Sequence, residues 1–150
     1  MKKIFLVVTL LVVFSAPAWA FNINPGNVDG QKGSIVNVPI EIKNIYSSIE
    51  ANAIGFTIKY DAEVLSFDKT SIQGSLLETF TLVEGKENSP GTVKIGGSHF
   101  TDKVFLTDGL LLTIQLKVKA DAKGNSKIEL SNFKDALKGA ESNSSTFILK

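Results

Sequence analysis

Along residues 53–67 (AIGFTIKYDAEVLSF), Ile54, Phe56, Ile58 and Tyr60 alternate with Gly55, Thr57 and Lys59. A strict period of two places one apolar row and one small or polar row on opposite faces of a half-buried strand. A short polar turn at Asp61-Ala62-Glu63 follows, and Val64, Leu65 and Phe67 resume the pattern. The same alternation predicts a strand over 34–43, with Val36, Val38, Ile40 and Ile42 inward and Pro39 in the outward row, where no ladder hydrogen bond is asked of it. Residues 92–98 place Val93 and Ile95 inward and Lys94, Gly96 and Ser98 outward, with Gly96-Gly97 marking a bulge or a close backbone approach. The longest regular segment, 109–120, places Leu110, Leu112, Ile114, Leu116 and Val118 inward and Leu111, Thr113 and Gln115 outward.

Shorter strands are expected near Phe21–Val28, Thr79–Val83, Ser126–Leu130 and Thr146–Leu149, while 85–91 reads as turn-rich and 100–107 as loop. About nine short strands with turn signals near every tenth residue and no helix of useful length predict an all-β sandwich. Its core requires Val36, Val38, Ile40, Ile54, Phe56, Ile58, Leu110, Leu112, Ile114 and Leu116 to be buried between two sheets.

The first twenty residues have a different character. Lys2 and Lys3 precede an apolar run and Ala18-Trp19-Ala20, the layout of a cleaved secretory signal peptide. The run is too short to cross a bilayer comfortably, so no membrane span is expected. Residues 21–150 are then one domain, exported to the periplasm, the cell surface or the medium, and long enough to bury roughly two-thirds of its unfolded surface. Its formal charge moves from +1 to −1 once Lys2 and Lys3 are removed, and it holds no arginine, which disfavours nucleic acid and anionic surfaces as partners. With no cysteine there is no disulfide framework and no thiol chemistry.

Candidate chemistry is sparse. His99 is the single histidine and has no partner motif beside it. Asp61 and Glu63 sit too close in one turn for a glycosidase pair, and Asp61 is expected to cap its own loop. No calcium-loop pattern occurs, and Gly26, Gly30 and Gly33 do not open a helix. No catalytic residue, metal site or cofactor is expected, so function should lie on a surface. Exposed rings for sugar stacking are few: the single tryptophan, Trp19, falls in the leader, and Tyr46 is the ring expected outside.

The segment Phe56 to Phe67 resembles the F-x-I-x-Y-D-x-x-V-L-x-F signature of cohesin modules. The G-x-x-V-x-V-P stretch from Gly33 to Pro39 and the run from Asp108 to Asn132 are similar to the same family. The resemblance implies jelly-roll connectivity and a non-catalytic module that docks a dockerin-like protein, a small helical module carrying its own calcium. It further implies that the strands around Gly55, Gly96 and Leu111 share one sheet whose outer face receives the partner. The implied contact residues are Gly55, Thr57, Lys59, Lys94, Gly96, Ser98, Leu111 and Thr113. Cohesins of the first type carry an asparagine and an aspartate just before the Phe of this strand. Ala53 and Gly55 stand there instead, which shifts the expectation to an apolar contact centred on Leu111. The alternatives are a carbohydrate-binding module of the same sandwich class and a structural subunit of a surface appendage.

Overall fold

The computed structural model describes residues 20–150, so the expected leader lies outside the described residues. Twelve strands follow in order: β1 (Asn22–Pro25), β2 (Val28–Gly30), β3 (Ile35–Lys43), β4 (Ile49–Ala51), β5 (Ala53–Lys59), β6 (Leu65–Ser71), β7 (Leu82–Ser89), β8 (Thr92–Ser98), β9 (Val104–Leu106), β10 (Gly109–Val118), β11 (Ser126–Asp135) and β12 (Ser145–Leu149). A four-stranded sheet of order β1-β3-β10-β6 packs on a six-stranded sheet of order β2-β12-β11-β5-β8-β7, and β4 and β9 form a separate ribbon. The expected all-β sandwich is the observed one.

The period-two rows explain the layering. Val36, Val38, Ile40 and Ile42 of β3 meet Leu112, Ile114 and Leu116 of β10 on one inner face, and Ile54, Phe56 and Ile58 of β5 meet Val93 and Ile95 of β8 on the other, all 6% exposed or less. Pro39 sits well inside the sheet, yet costs no ladder bond. Its β1 neighbour ends at Pro25, opposite Ile40, and Pro39 only accepts a hydrogen bond there, from the Gly26 N–H at 2.8 Å.

Residues 100–107, read as loop, carry the short strand β9, held by antiparallel pairing with β4. Two further expectations are overturned. The strand expected at Thr79–Val83 is displaced to Leu82–Ser89, and the tight turn contracts to Ser89-Pro90-Gly91. Gly85, which reads as a turn signal, is instead a strand residue whose missing side chain leaves room for the Phe67 ring. The second concerns β10. Leu110 pairs with Glu41 and Leu112 with Ile40, so Leu111 is an extra residue in a bulge. The inward row is therefore correct from Leu112 onward, but Leu110 is only half-buried and Leu111, expected outside, is fully buried in the core. β10 also lies between β3 and β6, in the sheet opposite β5 and β8.

Candidate docking face

Cross-strand pairing fixes which side chains share the outer face of the six-stranded sheet. One row runs Ser131 (β11), Thr57 (β5), Lys94 (β8), Lys86 (β7). The next runs Lys134, Gly55, Gly96, Glu84, and beyond it Ala53, Ser98 and Leu82 line up. On the other side of the first row stand Glu129, Lys59 and Thr92. Since Val93 and Ile95 point into the core, their neighbours Lys94 and Gly96 point out.

Six of the eight expected contact residues thus come together: Gly55, Thr57, Lys59, Lys94, Gly96 and Ser98. Leu111 and Thr113 do not join them. Leu111 is core, and Thr113 pairs with Pro39 and Ser71 in the other sheet. The large exposed apolar side chain beside these rows is Leu82, 45% exposed at the end of β7, while Ile148, 48% exposed, lies on β12 in the same sheet.

The two halves of the face differ. In β11 the register shifts between Ser131 and Lys134, with Asn132 at φ 54°. This bulge folds β11 over its neighbour: the Asn132 amide donates to the Thr57 hydroxyl at 3.4 Å, and the Lys134 Cβ lies 3.4 Å from where a Gly55 Cβ would stand. Thr57 is left only 4% exposed, so although it belongs to the outward row it is not a free contact residue. A shallow groove of about 290 Å³ remains between Gly55, Thr57, Lys94, Asn132 and Lys134. The β8–β7 half is open. A Cβ at Gly96 would meet nothing within 4 Å, and a depression of about 380 Å³ runs over Leu82, Glu84, Lys86, Lys94, Gly96 and Ser98. Gly97 plays the opposite part, since its would-be Cβ meets Val83, Ile54 and Phe80 at 3.1–3.2 Å, and β8 stays regular through the glycine pair with no bulge.

Sequence reasoning missed β7 and the β11 bulge. The signal for β7 was present, because Leu82, Glu84 and Lys86 alternate with Val83, Gly85 and Glu87. Reading Gly85 as a breaker hid it.

The remaining candidates behave as structure. The Asp61 carboxylate accepts the Glu63 N–H at 2.9 Å, the expected cap of its own loop. His99 stacks on Phe80 with ring centroids 5.8 Å apart and lies 3.3 Å from the Thr81 hydroxyl. Among the described residues no group of three or more histidine, cysteine or acidic side chains is set to hold a metal. No helix among them is long and apolar enough to cross a membrane.

The two-sheet sandwich thus presents one outer face floored by the paired glycines Gly55 and Gly96. The Cohesin domain family model matches residues 21–146, and the chain belongs to that family of non-catalytic, extracellular protein-binding modules. Among solved structures, the sixth cohesin of Acetivibrio cellulolyticus scaffoldin B, in complex with a Cel5 dockerin, is 21% identical with a TM-score of 0.71, covering 87% of this chain and 99% of that one. The OlpA cohesin of Clostridium thermocellum, in complex with Doc918, is 19% identical with a TM-score of 0.68, covering 87% and 99%. A non-cellulosomal cohesin of the archaeon Archaeoglobus fulgidus is 20% identical with a TM-score of 0.65, covering 87% and 91%. No curated protein sequence matches the chain.

Proposed function

We propose that the chain docks a dockerin-bearing extracellular protein on the outer face of its six-stranded sheet, over the stretch where β5, β8 and β7 run side by side. The observation that carries this reading is the paired Gly55 and Gly96 floor, open above Gly96 and flanked by the exposed Leu82. A bare backbone lets a partner helix approach closely, and one apolar anchor on a rigid face is the arrangement from which interfaces draw most of their affinity. Leu82 takes the role that the sequence pattern alone assigns to Leu111. The leader, cleaved after Ala20, delivers the module outside the cytoplasm.

The test is calorimetric titration with the dockerin modules of the source organism. Gly96→Tyr places a ring where a Cβ meets nothing, so the fold should persist while docking is lost. A Gly96→Tyr protein that binds as tightly as the parent moves the site elsewhere.

One observation favours polysaccharide binding as a second reading. Tyr46, Phe100 and Phe105 are 73%, 73% and 57% exposed; Phe105 belongs to the β4–β9 ribbon, and Phe100 follows Ser98 closely at the edge of the docking rows. Affinity electrophoresis in xylan or cellulose gels, with Tyr46→Ala and Phe105→Ala, separates that activity from docking. A subunit that donates or accepts a strand is disfavoured by Glu84, Lys86 and Glu87 on the edge strand β7, since charges blunt strand addition.

A further inference from the structure

We infer that the docking partner inserts an aspartate or glutamate carboxylate between Lys86 and Lys94. The inference rests on the docking reading and specifies the chemistry of its partner. Lys86 and Lys94 are direct cross-strand neighbours, and they point to the same side. Like charges so placed work against the sheet, where an opposite pair would support it. Neither ammonium takes part in an ion pair among those formed by the described residues, although Lys43, Lys103, Lys127 and Lys150 all do.

The groups around the pair do not quench it. Glu84 stands one row away, opposite Gly96, and Lys59 stands diagonally across β5. Glu129 is taken up by Lys127 at 2.6 Å, and Asp135 lies over Gly55 on the far side of the groove. Lys86, Lys94 and Leu82 line one depression together with the single acidic side chain Glu84, and the space over Gly96 is open. A partner helix resting on that floor has an apolar contact at Leu82 and two donors for one carboxylate. Two neighbouring ammonium groups hold a carboxylate better than one alone, and a charge-assisted pair desolvated on docking helps set partner choice.

The experiment uses the full mature chain and the dockerin module that binds it best in the calorimetric screen, with polygalacturonate as a glycan carrying the same carboxylate. Lys86→Glu and Lys94→Glu should each weaken dockerin binding by about tenfold or more, and raised salt should weaken the parent complex. One acidic residue of the dockerin, changed to lysine, should restore binding to Lys94→Glu while losing it to the parent. Circular dichroism should show both variants folded. If both lysine variants bind within about twofold of the parent while Gly96→Tyr abolishes the complex, the carboxylate inference is overturned and the docking face stands. If Gly96→Tyr also binds normally, or no dockerin binds at all, the docking reading falls and the inference with it. Binding of polygalacturonate that the lysine changes abolish, without dockerin binding, also overturns it.

Discussion

The Phe67 ring of β6 crosses the open end of the sandwich and packs under Gly85 of β7, where an added Cβ would overlap its Cζ and come within 3.0 Å of the Ile95 Cδ1. The contact closes the edge at which β6 and β7, from different sheets, run past each other, together with the Thr70 hydroxyl donating to the Val83 carbonyl at 3.2 Å. Gly85→Ala should therefore destabilise the module by about 1–3 kcal/mol through overpacking. Gly96→Ala, in the same sheet with open space above it, should be neutral or slightly stabilising. Urea unfolding of both variants checks the contrast, and equal midpoints would show that the ring moves aside at no cost.

Leu111 provides a prediction that the sequence pattern and the structure answer in opposite ways. An exposed Leu111 would tolerate a charge and lose only its partner. The bulge instead delivers both Leu111 and Leu112 to the core, each 0% exposed. Leu111→Ala should cost about 2–5 kcal/mol, and Leu111→Asp should leave no cooperatively folded protein by circular dichroism. A folded Leu111→Asp protein that has lost only dockerin binding would restore Leu111 to the surface.

The same bulge marks the limit of what the pattern reveals. Alternation locates β3, β5, β8 and most of β10, because burial against a second sheet forces apolar residues to every second position. It says nothing of which sheet a strand joins. Leu110, Leu112, Ile114 and Leu116 fit the inner row of either sheet equally well, so placing β10 beside β5 and β8 was an inference from resemblance, and pairing with Ile40 and Phe67 corrects it. Bulges are equally silent. Asn132 carries no local sign that it will shield Thr57, and Leu111 looks like any other outward residue until the extra step opposite Glu41 and Ile40 is known.

Tyr60 closes the corner between the two halves of the cohesin signature. Its hydroxyl donates to the Glu87 carboxylate at 3.0 Å, and the same oxygen accepts the Gly91 N–H at 3.1 Å. Burial first, and then the bond to the Glu87 carboxylate, push the phenol above its ordinary value. The fold therefore favours the neutral phenol. Stability from this group is fully present below the unfolded value of about 10 and declines as pH rises above it. Tyr60→Phe should cost about 1 kcal/mol at neutral pH and flatten the loss of stability between pH 9 and about 11 relative to the parent. Parallel urea titrations across that range cancel the lysine contribution common to both proteins. Identical pH slopes would mean that Tyr60 ionises freely in the folded state.

The opposed Lys86 and Lys94 imply a trade between stability and binding that can be measured before any partner is found. Replacing Lys86 by glutamate converts a like-charged cross-strand pair into an opposite one without touching the core, since both side chains are exposed. Surface pairs are weak, so the gain should be small, roughly 0.2–0.5 kcal/mol, or a rise in Tm of about one or two degrees at low salt. The rise should vanish in high salt, where charges at this spacing are screened. Lys123→Glu, in the turn between β10 and β11 and far from the docking rows, should produce no comparable shift. A Lys86→Glu protein that is more stable when free yet weaker with its dockerin would mean that the repulsion is retained for binding. A Tm that falls on Lys86→Glu would instead show that Lys86 already has a favourable place in the free sheet, with no unmet charge for a partner to answer.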